Sequence, residues 1–131
     1  MKKLLFNTAL LIVINLIFSQ TVSAQENKSP EDILVGKWIL TVKGLAAYDI
    51  LFSIDAKKTE GILNAAIGMP GTDEIPNEFH NVVLTDSAFH VELNFNSFYV
   101  PMPMTIKVAE ENSLSGTFFG YPMIGKREDQ K

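Results

Sequence analysis

The chain has 131 residues, with 11 Lys and Arg against 15 Asp and Glu, so its formal net charge at pH 7 is −4. This acidic balance argues against nucleic acid, whose binding depends on Lys and Arg neutralising phosphates, and against adsorption to anionic lipid. Cysteine is absent, which excludes disulfides, a thiol nucleophile, a cysteine zinc site and lipid attachment at an amino-terminal cysteine.

The first 24 residues have the three parts of a secretory signal peptide. A positive start, Met1–Lys3, is followed by an apolar run of 15 residues, Leu4–Phe18, and by the small residues Val22–Ala24 ahead of Gln25. The apolar run is shorter than the roughly 18 to 20 residues that a membrane-spanning helix needs. We therefore expect cleavage after residue 24 and export to the periplasm or the extracellular space.

Cleavage would leave a mature chain of 107 residues with a net charge near −6, because Lys2 and Lys3 leave with the signal peptide. We expect this chain to be soluble, without insertion into a membrane, and to hold one domain over residues 36–131. Residues 25–35 are predicted to form a polar tether and one helical turn, with Ser29 as the cap and Pro30 at the first helical position. This turn is expected to plug one end of the domain.

From Gly36 onward, apolar and polar residues alternate in short segments that are separated by turn residues. Such alternation is typical of antiparallel sheets with one buried and one wet face. We predict an all-β fold, an eight-stranded antiparallel barrel in up-and-down (meander) order. The predicted strands are 37–43, 47–55, 61–68, 78–84, 88–95, 98–108, 113–120 and 123–127.

Two prolines interrupt the pattern of the sixth predicted strand. Pro101 and Pro103 both fall on its outward side, and proline cannot donate a hydrogen bond to a neighbouring strand. The sequence therefore predicts a bulge or a local break there.

Two short motifs open and close the predicted barrel, Gly36-Lys37-Trp38 and Gly125-Lys126-Arg127. In this arrangement the chain resembles lipocalin-like proteins of the calycin type, particularly small secreted bacterial members, in which Gly-x-Trp begins the barrel and a basic residue near its end covers the tryptophan. The resemblance implies that Arg127 stacks on Trp38 and helps to seal the plugged end, a contact worth about 0.5 to 2 kcal/mol. The mature chain is much shorter than a typical lipocalin, and its inward residues are bulky, so we expect a small interior cavity or none.

A meander sorts the connections between strands by position. Odd-numbered connections share one rim of the barrel, and even-numbered connections share the other rim with the helical turn. The odd rim is the more apolar and holds the longest loop, and barrel mouths are common ligand sites. A small apolar or amphipathic molecule is therefore expected there. The candidate binding residues are Leu45, Met69, Ile75, Phe98, Tyr121 and Met123.

Catalytic motifs are missing from the sequence, which has no Gly-x-Ser-x-Gly elbow, His-Glu-x-x-His helix, Gly-x-Gly-x-x-Gly turn or phosphate loop. The protein is expected not to be an enzyme and to use no cofactor. Met102 and Met104 are soft ligands suited to Cu(I), but their spacing places both on the core face, so they are only weak candidates and no metal site is predicted.

Apolar residues on the outward side of the strands leave a second hypothesis open. Ile39, Leu51 and Phe119 could form a patch for a partner protein or a homodimer, although single exposed apolar residues are ordinary on protein surfaces. The sequence does not select a ligand class.

Overall fold

The structure, a computed structural model, describes residues 27–129. The predicted signal peptide, residues 1–24, lies outside the described residues. One short helix precedes eight strands. They are α1 (Pro30–Leu34), β1 (Gly36–Val42), β2 (Ile50–Thr59), β3 (Ile62–Gly68), β4 (Asn77–Phe79), β5 (Ala88–Leu93), β6 (Met102–Glu110), β7 (Ser113–Phe118) and β8 (Tyr121–Arg127).

The eight strands form one antiparallel sheet in up-and-down order, which confirms the predicted fold class. β1 pairs with both β2 and β8, so the first and last strands lie side by side in the middle of the sheet. β4 and β5 are its two ends, in the order β4-β3-β2-β1-β8-β7-β6-β5. The sheet therefore curls into a barrel that is nearly closed, with a seam between β4 and β5.

The interior of the barrel is filled by side chains. Trp38, Phe52 and Phe118 have no solvent exposure, and the alternate residues of β1 and β6 are buried as the sequence pattern predicts. An eight-stranded barrel is just wide enough for side chains to fill it. Burial of each large apolar side chain contributes about 1.5 to 3 kcal/mol to folding.

Helix α1 plugs the barrel at the even rim. The Ser29 hydroxyl accepts a hydrogen bond from the Asp32 N–H at 3.2 Å, and Pro30 occupies the first helical turn, as predicted. Leu34 is fully buried in the core. Outside, the Lys58 ammonium lies 3.0 Å from the Asp32 carboxylate. The Ser29 hydroxyl, and then Lys58, hold the pKa of Asp32 below its usual value.

Arg127 lies over Trp38 and donates hydrogen bonds to three backbone carbonyl groups around it. The guanidinium carbon is 4.2 Å from the centre of the indole ring. Its Nη1 donates to the Val35 carbonyl at 3.0 Å and its Nη2 to the Ile33 carbonyl at 2.9 Å. Both Nε and Nη2 also donate to the Glu111 carbonyl, at 3.2 and 3.0 Å. One side chain thus joins β8, β1, the end of α1 and the turn after β6.

Gly36 leaves the room that this guanidinium occupies. A Cβ atom at Gly36 would lie 2.7 Å from Arg127 Nη1, and the glycine φ of +128° is one that other residues rarely adopt. The glycine two residues before Trp38 is therefore required both by the backbone and by the arginine.

All strands but β1 differ in length from the prediction, and the ends of β2, β4 and β6 are displaced most. β2 begins at Ile50 rather than at residue 47 and runs on to Thr59, because Glu60 and Gly61, with φ of 52° and 79°, form a two-residue turn that fits a tight hairpin. β4 is only three residues long, because Asn81 takes a positive φ soon after it. β6 begins at Met102 rather than at residue 98.

The predicted bulge or break is found at Pro101, after which β6 begins, but not at Pro103. Pro101 precedes β6, and Pro103 pairs with Glu92 inside it, while the register shift of β6 lies between Val108 and Glu110. The Pro103 carbonyl accepts from the Phe119 N–H at 2.8 Å. The nitrogen of a strand residue points to the same side as its carbonyl, so the missing N–H of Pro103 faces the point where β7 has already ended.

We predict that Arg127→Ala lowers the free energy of unfolding by about 2 to 4 kcal/mol, because it removes the contact with Trp38 and four charged hydrogen bonds to three carbonyl groups. Denaturant unfolding followed by the emission of Trp38, the one tryptophan of the chain, measures the loss, and the emission maximum should shift. Lys126→Ala, at the exposed neighbouring position, is the matched control and should cost less than about 0.5 kcal/mol. Unchanged stability and emission in Arg127→Ala would contradict the role of this contact.

Gly36→Ala tests the same contact from the glycine side. Alone it should cost about 1 to 3 kcal/mol, because the new Cβ collides with the guanidinium and the backbone is strained. In the Arg127→Ala background, Gly36→Ala should cost only the backbone strain. A double-mutant cycle should therefore give a coupling free energy of about 1 kcal/mol. Simple additivity would show that Gly36 acts through the backbone alone.

Candidate ligand-binding rim

Four connections meet at the rim opposite α1, and they are the odd-numbered ones. They join β1 to β2, β3 to β4, β5 to β6 and β7 to β8, over residues 43–49, 69–76, 94–101 and 119–120. The Lys43 N–H donates to the Pro122 carbonyl at 3.4 Å, and the Tyr121 ring lies beside Gly44. We call this end of the barrel the odd rim.

A cleft of about 440 Å³ opens at the odd rim. Three segments far apart in the chain build it: the start of β2 with the residues before it, the loop after β3, and the loop after β5. Its lining is mainly apolar, with a few hydroxyl and carboxylate groups. The lining residues are Tyr48, Asp49, Ile50, Leu51, Met69, Pro70, Thr72, Ser97 and Phe98.

Phe98, which lines the cleft, belongs to an aromatic cluster that continues into the packed interior. The Phe98 ring centre is 6.1 Å from that of Phe95 and 5.8 Å from that of Phe118. Phe52 contacts the same two rings from inside the barrel, at 6.1 and 4.7 Å. Since the rings of Phe52, Phe95 and Phe118 are buried in the core, a ligand would lie at the rim and not in the barrel.

Side chains bridge the seam between β4 and β5 beside the cleft. The Asn77 amide donates to the Asn94 carbonyl at 3.1 Å and accepts from the Asn94 N–H at 2.9 Å, so it takes the place of a paired strand. The Glu74 carboxylate accepts from the Asn96 N–H at 2.7 Å, from the Ser97 N–H at 2.6 Å, and from the Ser97 hydroxyl. These contacts fix the loop that carries Phe98.

Hydrogen bonds to Glu74 favour its charged form. The Ser97 hydroxyl, followed by the N–H groups of Asn96 and Ser97, holds the pKa of this carboxyl below its ordinary value, although desolvation acts in the opposite direction. The carboxylate is therefore ionised whenever the loop is in place at neutral pH.

The six predicted binding residues are found in different surroundings. Met69 and Phe98 line the cleft. Leu45 is half-buried against the core, and Tyr121 is exposed beside Gly44. The other two lie elsewhere: Ile75 is exposed outside the cleft lining, and Met123 is buried in the core, paired with Val42.

Sequence reasoning missed most of the cleft wall. Tyr48 is exposed on the loop before β2, whereas the alternation pattern had placed it inside a strand. Asp49, a residue depleted in strands, directly precedes Ile50 and was the available sign that the strand starts later. Nothing in the sequence pattern indicates that Thr72 and Ser97 line the cleft, because the fold of two loops brings them there.

The candidate copper ligands lie in the core. Met102 is 8% exposed and Met104 is 1% exposed, both on the inward face of β6. Within residues 27–129, no three His, Asp or Glu side chains converge in a way that could hold a metal ion.

A larger depression of about 630 Å³ lies on the outer face of β1 and β8. Ile39 and Ile124 contribute apolar surface there, but Lys43 and Lys126 border it together with acidic residues. This mixed lining suits an apolar ligand less well than the cleft does. None of the helices among the described residues is long and apolar enough to cross a membrane.

We predict that Glu74→Gln lowers the melting temperature at neutral pH by loosening the loop at Ser97. A carboxyl with a depressed folded pKa adds stability above its unfolded pKa, and that stability is lost as the pH falls through the folded pKa. The difference from the unsubstituted protein should therefore shrink once the pH drops below the ordinary value of 4.5. Thermal unfolding followed by circular dichroism across this range measures it.

Glu78→Gln is the matched control, because Glu78 is an exposed carboxylate on β4, 3.9 Å from His80. It should leave the pH profile almost unchanged. A melting difference for Glu74→Gln that does not vary with pH would mean that the charge of Glu74 is not what holds the loop.

No family model matches this chain, and no curated protein matches it. Among solved structures, it is similar to a redesigned beta barrel, with a TM-score of 0.51 and 14% sequence identity over 80% of this chain and 100% of that one. At this identity the likeness concerns the fold alone. The architecture shared with it is a β-barrel.

Proposed function

We propose that this protein is an exported, noncatalytic, calycin-like barrel that binds a small apolar or amphipathic molecule at the odd rim. The observation that carries the proposal is the cleft of about 440 Å³ lined by Tyr48, Leu51, Met69 and Phe98. Ligand sites are typically concave, mostly apolar and furnished with a few polar groups that orient the ligand.

The lining favours a molecule with one apolar part and one polar end. Phe98 and Met69 offer aromatic and thioether surface, and thioethers adapt to varied shapes. Thr72 and Ser97 offer hydroxyl groups on the same wall. Because Asp49 is the charged residue of this lining, a neutral or cationic polar end suits it better than an anionic one.

The calycin-like relationship is supported by the closure at the opposite end. Arg127 covers Trp38, and the indole N–H of Trp38 donates to the Leu34 carbonyl at 2.8 Å. The export proposal is supported by the signal-like pattern of residues 1–24. Mass spectrometry of the exported protein tests this cleavage. A mass that differs from that of a chain beginning at Gln25 would contradict cleavage after Ala24.

The outer face supports a second candidate, a homodimer or a protein-interaction module. Leu51, Thr41 and Ile124 are register partners across β2, β1 and β8, so they form a continuous outward row. Leu51 and Ile124 are 43% and 55% exposed. Copper binding by Met102 and Met104 is the weakest alternative, because both fill the core.

We predict that the uncharged fluorophore N-phenyl-1-naphthylamine binds at the odd rim. With methyl-¹³C methionine labelling, the Met69 signal should shift on titration, while the buried Met104 and Met123 signals move little. Tyr48→Ser should weaken binding by about five- to tenfold, because it removes exposed aromatic surface from the wall.

Ile62→Ser is the matched control, since Ile62 is a 48% exposed apolar residue at the opposite rim. The affinity of this variant for N-phenyl-1-naphthylamine should equal that of the unsubstituted protein. Shifts confined to Met104 and Met123 would place the probe in the core and contradict the rim. Light scattering of the purified mature chain separates the second candidate, which a stable dimer or a co-purifying partner protein would favour.

A further inference from the structure

Four apolar side chains on two neighbouring segments of the odd rim face solvent and take no part in the cleft. Tyr99 is fully exposed, and Val100, Phe119 and Tyr121 are 58%, 49% and 37% exposed. We call these four residues the apolar ledge. They belong to two neighbouring segments, since the Phe119 N–H donates to the Pro103 carbonyl and the Phe98 and Phe118 rings are 5.8 Å apart.

The ledge is free of charge over a long stretch of sequence. Between Glu92 and Lys107 the chain has no Asp, Glu, Lys or Arg, and residues 119–122 have none either. The even rim, in contrast, is bordered by charged groups such as Lys58, Asp86 and Glu111. The barrel therefore has one charged end, and at the other end the segments 93–106 and 119–122 carry no charged residue, whereas Lys43, Asp49, Asp73 and Glu74 lie on the remaining connections of that rim.

Phe119 is the ledge residue whose side chain suits its backbone conformation least. Five described residues other than glycine have positive φ, and four of them are polar; the fifth is Phe119, with φ of 48°. Asn or Gly would suit this turn better, because a bulky side chain is strained in the left-handed region. Half of the Phe119 side chain is exposed, so core burial does not compensate for the strain. Strained residues of this kind are concentrated at functional sites.

The size of the ledge favours a lipid surface over a protein partner. At these exposures the four side chains present on the order of 400 to 500 Å², whereas a stable protein interface needs about 800 Å² on each partner. Tyrosine is enriched where membrane meets water, because its ring is apolar and its hydroxyl is polar. The absence of charge on the ledge and the acidic balance of the chain both disfavour anionic lipid.

We propose that the apolar ledge docks this barrel peripherally on a neutral, zwitterionic lipid surface, with Tyr99 and Phe119 in the interfacial layer. The charged even rim then points into water. The ledge borders the cleft, so a docked barrel presents the cleft to the lipid. The docking itself involves other side chains than ligand binding, and either can fail without the other.

Site-specific fluorescence tests this proposal cleanly, because the chain has no cysteine. Tyr99→Cys and Ile62→Cys each create a single attachment point for the environment-sensitive fluorophore NBD, at the ledge and at the opposite rim. With phosphatidylcholine vesicles, the emission of the residue-99 label should rise about threefold and shift to the blue, while the residue-62 label stays unchanged.

Phe119→Asn separates docking from folding. Asn tolerates the positive φ of this turn, so the melting temperature should stay the same or rise. In the Tyr99→Cys protein, Phe119→Asn should reduce partitioning into phosphatidylcholine vesicles by about tenfold, as expected for loss of one interfacial aromatic side chain. Unchanged partitioning would overturn the proposal.

The remaining outcomes are also decisive. No response at residue 99, an equal response at residue 62, or a response only with phosphatidylglycerol vesicles would each overturn it. If the emission of the residue-99 label rises without vesicles and increases with protein concentration, the ledge contacts a second copy of the chain. That result would also overturn the proposal of lipid docking. The Met69 shift with N-phenyl-1-naphthylamine, measured without vesicles, reports on ligand binding separately.

Discussion

The stacking of Arg127 on Trp38 is the interaction on which the rest of this barrel depends. The guanidinium lies 4.2 Å from the indole centre and donates to carbonyls of α1 and of the turn after β6. It therefore holds the first strand, the last strand and the plug in one arrangement. Because the side chain is only partly buried and makes several charged hydrogen bonds, the positive charge does not have to be stripped of all its polar partners to serve this role.

The opposite rim is organised by a different principle. β4 and β5 do not pair, and polar side chains supply the hydrogen bonds that a backbone ladder would have supplied, through Asn77 and Glu74. Loops held in this way carry the cleft and, beside it, the uncharged edge with Tyr99. The end plugged by α1 is thus closed by packing, whereas the loops of the odd rim are held by side chains. Loops that carry function are commonly presented in this way by a stable scaffold.

The sequence predicts the architecture well, because strand alternation and turn residues are local signals. The buried faces of β1 and β6 follow directly from residues two apart, and the capped turn at Ser29 follows from three adjacent residues. Strand ends are less accessible to such reasoning: β4 is short because of the backbone at Asn81, and Pro103 fits within β6 because β7 ends beside it. Both facts depend on neighbours in space.

The candidate site is less predictable for the same reason. The sorting of odd and even connections places Met69 and Phe98 at the odd rim, and both line the cleft. Such sorting cannot tell that Met123 turns into the core, or that Ser97 is drawn to the cleft by the Glu74 carboxylate. Hydrogen bonds between loops 20 residues apart leave no periodic trace in the chain, so only the folded structure shows them.

The position of the seam has a consequence for how the molecule is assembled. Since β4 and β5 are unpaired, the eight strands fall into two hairpin series of four strands each, and within each series every strand pairs with its sequence neighbours. Among the described residues, the β1–β8 ladder is the backbone pairing that unites them. Local hairpins form quickly, whereas joining segments nearly 90 residues apart has a large entropic cost. We therefore expect the slow step in folding to be the pairing of β1 with β8, which the contact of Arg127 with Trp38 completes.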